Sequence, residues 1–320
     1  MWSTRDSPSR RPWTPRVVRR HGADHPGHVP GERHRDHTRT HPARRGPGRR
    51  DRTGRQGRRH LRRGRNGVCV VGTDKHKVEG VTLASLTVTG FTRSGVYAVA
   101  TDGLTVRNVT AVKNGVWGIA QEGSVRGVFR GNTARDNGDA GLFLANTISA
   151  EKGATDTDGT LVERNRLEGN RIGVTVRRLR NLTVAGNHLT GNCAGVFLVG
   201  DENKPRAGKV TVAENRIVRN NKSCPKTARL DALQGSGIVL TGTEDTLITQ
   251  NVIRDNAGKS PLSGGIVLFK SFVGTSSERN RISDNELSGN SPADLVDQET
   301  AKANTFEANT CQVSRPAGLC

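Results

Sequence analysis

The chain has 320 residues, of which 3% are aromatic, one is Met and 39 are Gly. A globular core of this size normally uses more large side chains, so the composition disfavours one and indicates short strands joined by frequent turns. No apolar run approaches the roughly 20 residues that a membrane-spanning helix needs.

Most of the formal net charge of +20 lies at the N-terminus, where residues 1–65 hold 20 Arg, no Lys and 5 acidic residues. This segment has only four Val, Ile or Leu residues, too few to offset chain entropy by burial, so we expect it to be disordered. One interpretation is an Arg-rich tail that binds nucleic acid or another polyanion. The lack of Lys favours the other, which is that the segment is translated in the wrong reading frame or from the wrong start codon. The chain as printed shows no secretory signal pattern.

One pattern recurs after residue 80: an Asn, any residue, an aliphatic residue, two variable residues and a second Asn. It begins at Asn132, Asn165, Asn187, Asn215, Asn251 and Asn285. Successive first Asn residues are 33, 22, 28, 36 and 34 apart, which indicates a bare coil of 22 residues with loops inserted elsewhere. The second Asn is followed by Gly and a short apolar strand, as in residues 173–176.

Such units must stack, because none can bury its apolar face alone. Stacked coils lie about 4.8 Å apart, which aligns corresponding residues into ladders. Asn tolerates the left-handed backbone of tight turns, and its amide can bond to the Asn above and below. The pattern therefore predicts an all-β, single-stranded parallel β-helix over residues 66–296, followed by a C-terminal tail at 297–320.

In this pattern, residues 66–296 resemble the right-handed parallel β-helix repeat family of the pectin-lyase-like superfamily. Its members include pectate lyases, polygalacturonases, uronate epimerases and copper-binding β-helix proteins. The resemblance implies a right-handed solenoid and a polysaccharide as the class of substrate.

The five cysteines predict two disulfides. Cys193 follows ladder residue Asn192, and Cys224 lies four residues after the equivalent Asn220 of the next coil, within disulfide reach. We also expect Cys311–Cys320 to close the tail, which leaves Cys69 without an assigned partner. Disulfides indicate an oxidising compartment, so we expect an extracellular or cell-surface location.

The Gly-led strand of each coil has one central residue that faces outward, and these residues form an outward row along the stacked coils. The row contains no acid, base or nucleophile, and we expect loops to cover it. It reads Ala120, Phe143, Thr175, Phe197, Val239 and Val267. Charged residues follow that strand instead, where insertions cluster and could build a binding face.

Among these charged residues, Arg177, Asp201 and Lys270 are the catalytic candidates, in a charged groove for an acidic glycan. The binding candidates are Arg178, Glu202, Lys204 and Glu244. The alternative is a solvated rim of turns.

A second set of arginines occupies outward positions next to the Asn ladder. It comprises Arg166, Arg216 and Arg254, with Arg135 and Arg219 nearby. These side chains either bind a polyanionic polysaccharide or keep a strand-rich surface soluble.

Metal cofactors are not expected. Copper favours His, Cys and Met ligands, whereas the repeat region has only the separated His76 and His188 and no Met. Calcium would require acids on adjacent coils at one corner. The row four after the first Asn places no two acids on adjacent coils, so calcium is unsupported and we expect no metal site.

The working hypothesis is an exported β-helix protein that binds a polysaccharide and modifies it as a lyase or epimerase would. The rival hypothesis is a non-catalytic structural or adhesion solenoid. We expect a monomer without a membrane span, and the near-neutral body of the chain disfavours nucleic acid as the partner.

Overall fold

The computed structural model describes residues 65–147, 152–228, 230–271, 273–300 and 303–320. The described residues form parallel β-sheets and no helix, so none of them forms an apolar helix that could cross a membrane. The predictions for residues 1–65 fall, except at Arg65, outside the described residues.

Sheet 1 has the most strands of the four sheets in the described part of the chain. Its ten strands, in spatial order, are Val68–Val71, Val96–Val99, Ile119–Glu122, Ala140–Ala145, Ile172–Arg177, Ala194–Val199, Ser236–Thr241, Gly264–Leu268, Leu295–Asp297 and Ser314–Arg315.

Sheets 2 and 3 complete each coil. Sheet 2 contains Thr82–Ala84, Thr105–Arg107, Val128–Arg130, Thr155–Glu163, Leu179–Ala185, Gly208–Ala213, Leu247–Thr249, Arg281–Ser283 and Thr305–Glu307. Sheet 3 contains Thr87–Thr89, Thr110–Val112, Thr133–Arg135, Arg166–Glu168, His188–Thr190, Arg216–Val218, Val252–Arg254 and Glu286–Ser288. A short pair, Val78–Glu79 and Thr101–Asp102, adds to the first coils.

Each coil contributes one strand to each main sheet in turn, and every strand pairs in parallel with its equivalent one coil on. Leu167, Leu189 and Ile217 are in direct register on sheet 3, and all three are fully buried. The aliphatic columns that the repeat predicts therefore exist, and the predicted parallel β-helix is confirmed.

The ladder asparagines lie in single file inside the coils. The Nδ2 of Asn165 donates to the Oδ1 of Asn187 at 2.9 Å, and the Nδ2 of Asn187 donates to the Oδ1 of Asn215 at 2.9 Å. A second ladder passes through Asn192, whose Nδ2 donates to the Oδ1 of Asn220 at 2.8 Å. These bonds pair amides that would otherwise be buried at a cost.

The expectation that the ladder asparagines themselves adopt the left-handed backbone is wrong. The residue immediately before each Asn does so, as at Arg164 with φ of 53° and Glu214 with φ of 56°. The turn is made one residue earlier because each Asn must point its amide inward to reach the next coil. The residue before it lies on the outside of the turn, and in the six repeats it is Gly, Asp, Glu, Gln or Arg, because a left-handed backbone disfavours β-branched side chains.

The last coil extends past residue 296. Asn280 and Asn285 bond through their Nδ2 atoms to Asn304 and Asn309, at 3.0 and 2.9 Å. Strand Thr305–Glu307 follows Asn304, and its Phe306 packs against the core. Residues 297–320, expected as a tail, therefore add strands to sheets 1 and 2.

Both predicted disulfides are present. Cys193 and Cys224 have Cα atoms 6.0 Å apart, and Cys311 and Cys320 have Cα atoms 5.4 Å apart. Cys69 is a free, exposed cysteine. The first disulfide joins the body of the coil to a loop beside sheet 1, and the second closes the C-terminal coil.

Candidate functional site

A groove with a volume of about 810 Å³ lies on the outer face of sheet 1. Its floor is built by strands of four successive coils, Ala140–Ala145, Ile172–Arg177, Ala194–Val199 and Ser236–Thr241, together with Trp117 just before a fifth strand. The described loop residues 222–228 and Leu230 form one wall. This volume is in the range of sites for small ligands or a few sugar units.

The floor of the groove is aromatic. The rings of Trp117 and Phe143 are stacked with centroids 4.3 Å apart and an angle of 13° between planes. Phe197 lines the groove further along sheet 1. Trp117, Phe143 and Phe197 are 8%, 7% and 5% exposed, so the groove presents a small part of each ring, against which the C–H face of a sugar can pack.

The expectation that loops cover this outward row holds for one part of it. Leu230 and Leu233 from the wall loop pack with Phe197 and Val239 in a second apolar cluster outside sheet 1. Phe143, Thr175 and Phe197 nevertheless still line the groove. The loop therefore forms a wall beside the row and leaves a cavity above part of it.

The wall is fastened to sheet 1 at several points. Cys224 is disulfide-bonded to Cys193, and its backbone exchanges two hydrogen bonds with Leu233. Arg171 donates to the carbonyl oxygens of Pro225 and Asp231, at 2.7 and 3.1 Å. Buried hydrogen bonds from a charged group are strong, so these contacts hold the wall in a fixed position.

Cations outnumber acids among the described residues that line the groove. Arg171, Arg177 and Lys222 are the cations, and Asp139 is the acid. Burial raises the pKa of Asp139, while the hydrogen bond from Trp117 Nε1, at 3.0 Å, and the charge of Arg171 lower it. Burial also lowers the pKa of Arg171, opposed by Asp139. A net positive, partly desolvated groove favours an anionic ligand.

Thr241 adds a polar group to the groove. The threonine is 4% exposed, and its Oγ1 atom has no hydrogen-bond partner among the described residues. A buried hydroxyl without a partner costs free energy unless something else supplies the bond. A ligand hydroxyl in the groove would supply it.

The structure does not bring the three catalytic candidates together. Arg177 lines the groove and donates to the carbonyl oxygen of Thr147 at 3.2 Å. Asp201 instead forms a buried ion pair with Arg178, at the turn that follows sheet 1. Lys270 is exposed beyond strand Gly264–Leu268 and is not among the groove residues.

The other binding candidates also lie outside the groove. Glu244 is the centre of an ion-pair network with Arg180, Arg206 and Arg279, at 3.8, 3.8 and 2.8 Å. Glu202 and Lys204 are exposed on the loop after strand Ala194–Val199. The binding roles of these residues, with that of Arg178, stay predictions.

Sequence reasoning missed Trp117 and Tyr97. Trp117 is the one Trp in the repeat region, a signal that could have singled it out, because such a large side chain rarely occupies an outward position without a partner. Tyr97 donates from its Oη to Glu122 Oε1 at 2.7 Å, on the same face of sheet 1. Burial, and then the bond to Glu122, raise the pKa of Tyr97 to about 12, so it remains protonated.

Comparison with known families agrees with this architecture. A family model described as "Right handed beta helix region" matches residues 58–217, and one described as "Periplasmic copper-binding protein (NosD)" matches residues 148–314. The chain belongs to the right-handed parallel β-helix family. No curated protein matches it significantly.

Solved structures of the β-helix family share the fold at low sequence identity. The A-module of mannuronan C-5 epimerase AlgE4 from Azotobacter vinelandii is 21% identical, with a TM-score of 0.53 over 72% of this chain and 60% of that one. The periplasmic alginate epimerase AlgG is 17% identical, with a TM-score of 0.58 over 74% of this chain and 51% of that one. The chain thus spans about half to three fifths of these proteins.

The residues of this β-helix do not fit a copper site. Within residues 148–314 the sequence has a single histidine, His188, no methionine, and three cysteines that are all in disulfides. The described residues also contain no group of three or more His, Cys, Asp or Glu side chains arranged to hold a metal. Copper requires such nitrogen and sulfur ligands, so no step of the function is assigned to it.

Proposed function

We propose that the groove on sheet 1 binds an acidic polysaccharide. The observation that carries the proposal is the combination, in one cavity, of the stacked Trp117–Phe143 pair with Arg171 and Arg177. An aromatic floor suits the apolar face of a sugar ring, and the guanidinium groups suit its carboxylate. The β-helix relatives named as alginate or mannuronan epimerases support this class of ligand.

A second candidate function is modification of the bound sugar. Removal of a proton beside a uronate carboxylate requires a positive group at that carboxylate and a group that accepts the proton. Arg177 would supply the first. A lyase would release an unsaturated product that absorbs ultraviolet light, whereas an epimerase would change the sugar configuration without chain cleavage. Neither signal would favour a binding protein without catalysis.

Replacement of Arg177 by glutamine tests the binding proposal. We expect the affinity for tetragalacturonate at low salt to fall about 10- to 100-fold, because a hydrogen bond to a charged group contributes about 1.5–3 kcal/mol. Isothermal titration calorimetry measures the effect. Arg107→Gln is the matched control, since Arg107 is exposed on sheet 2 outside the groove. Equal affinities for the two variants would contradict the proposal.

The buried carboxyl of the groove predicts a pH dependence. Since the pKa of Asp139 is raised, this carboxyl takes up its proton at a higher pH than an ordinary aspartate as the pH falls from neutral. The groove then becomes more positive, and the affinity for tetragalacturonate should rise. Asp139→Asn should bind more tightly at neutral pH and lose the rise, as measured by titration over a pH series. The same pH profile in both proteins would refute this role of Asp139.

A further inference from the structure

Three basic side chains form a straight row on the outer face of sheet 3. Arg166, His188 and Arg216 begin strands of three successive coils and are in direct register. The residue that follows each of them is fully buried in the core, so the three side chains point outward. With coils about 4.8 Å apart, the row presents one nitrogen-bearing side chain per coil along the helix axis, and its two guanidinium groups are two coils apart. We call this row the basic stripe.

The basic stripe lacks the pairing of opposite charges between neighbouring coils that occurs at several other places on the solenoid. On sheet 2 Arg107 lies directly opposite Arg130, but Arg130 itself and other charged side chains form pairs of opposite sign with a neighbouring coil. The pairs are Arg130–Glu163, Arg254–Glu286, Arg281–Glu307 and Arg126 with both Asp102 and Asp158. Arg166 and Arg216 lie on either side of His188 in the register, and neither forms an ion pair with an acid of a neighbouring coil among the described residues.

The stripe is only partly neutralised. Glu168, from the same strand, pairs with Arg166, but Arg216 has no ion pair among the described residues. The pKa of His188 is lowered by burial and then by the charges of Arg166 and Arg216, against an opposing effect of Glu168. His188 is therefore uncharged at neutral pH, and the excess positive charge that an arriving anion would meet lies on the guanidinium group of Arg216.

The stripe continues towards the groove around one corner of the solenoid. Arg219 is exposed in the turn after strand Arg216–Val218, and Lys222 follows it and lines the groove. Lys222 Nζ donates to the carbonyl oxygen of Gly169, in the corresponding turn two coils earlier. Basic groups thus connect sheet 3 with the wall of the groove.

We propose that the basic stripe is a second binding site, for a linear carboxylated polysaccharide. Such a polymer is linear and carries a carboxylate on each sugar, so carboxylates of different sugars can reach Arg166 and Arg216 at once. Double-stranded DNA carries about one charge per 1.7 Å of its axis and winds it around a helix. The outer face of sheet 3 also has no Phe, Tyr or Trp among its described strand residues on which bases could stack.

The test is a double variant, Arg166→Gln with Arg216→Gln, titrated with sodium polygalacturonate at low salt. We expect about tenfold weaker binding and a shallower salt dependence, because two ionic contacts are removed. The affinity for tetragalacturonate, which occupies only the groove, should be unchanged. The matched control is Arg107→Gln with Arg315→Gln, which removes the same charge from exposed positions outside the stripe and should change the affinity less than about twofold.

Each outcome decides between explanations. Equal losses in the two double variants would show that only net charge matters and would overturn the proposal. An equal loss for the polymer and the tetramer would show a single site, and tighter binding of double-stranded DNA than of polygalacturonate would assign the stripe to nucleic acid. Failure of the groove proposal is a separate result, because that requires Arg177→Gln to leave tetragalacturonate binding unchanged.

Discussion

Replacement of Asn187 by alanine should lower the free energy of unfolding by about 3–5 kcal/mol, because several buried groups lose their partners at once. The Oδ1 of Asn187 accepts bonds from both the backbone N and the Nδ2 of Asn165, each at 2.9 Å. Its own Nδ2 donates to Val162 O at 3.0 Å and to Asn215 Oδ1 at 2.9 Å. Urea unfolding followed by circular dichroism measures the change.

The control for this variant is Asn203→Ala. Asn203 is half-buried on a loop, and its side chain makes no hydrogen bond with the described residues. Its replacement should alter the free energy of unfolding by no more than about 0.5 kcal/mol. Equal unfolding midpoints for the two variants would mean that the amide ladder does not stabilise the coils, contrary to the interpretation of the repeat.

Removal of the Cys193–Cys224 disulfide by a double alanine substitution should have a comparable effect. The bond closes a loop with a sequence separation of 31, for which the chain-entropy model gives about 4 kcal/mol. The wall of the groove should also loosen, because its covalent link to the coil is lost and only non-covalent contacts remain, among them the hydrogen bonds from Arg171 to Pro225 and Asp231. We therefore expect weaker binding of tetragalacturonate as well as a lower unfolding midpoint.

The second disulfide provides the matched control. Cys311 and Cys320 are separated by only 9 residues and lie in the last coil, outside the groove. Their double replacement should cost about 2–3 kcal/mol in the same model and leave tetragalacturonate binding unaltered. Equal losses of affinity in the two disulfide variants would argue against a specific role of the wall.

The repeat could be predicted from the sequence because each position in it has one physical requirement. An Asn must meet the next Asn, and residues such as Leu167 and Leu189 must be apolar to share a column. The final coil escaped the pattern because Asn309, which continues the ladder of Asn285, is followed by Cys311 in place of the aliphatic residue and by Ser314 in place of the second Asn. The left-handed turn position was misplaced by one residue, since sequence alone does not show which neighbour of the Asn faces solvent.

The groove could not be predicted in the same way. The stacking of Trp117 on Phe143 depends on the register between two coils of different length, and the wall is an insertion without periodicity. The outward row was correctly identified as apolar, but its composition did not reveal that the loop would stand beside it. Arg177 was identified as a candidate from its position at the end of a Gly-led strand, and it does line the groove. Asp201 was assigned to the same groove by the same reasoning, but it pairs with Arg178 instead.

The hydrogen bond at the base of the wall loop separates the part of the chain that can vary from the part that must keep its register. The backbone N of Gly235 donates to the carbonyl oxygen of Asn220 at 2.9 Å, which closes the insertion where it leaves and rejoins the coil. The exposed residues between these two can change in number or chemistry while the amides and apolar columns keep their register, and Cys224 and Leu233 anchor the loop. Changes confined to this loop can therefore alter what the groove binds without altering the stacked coils.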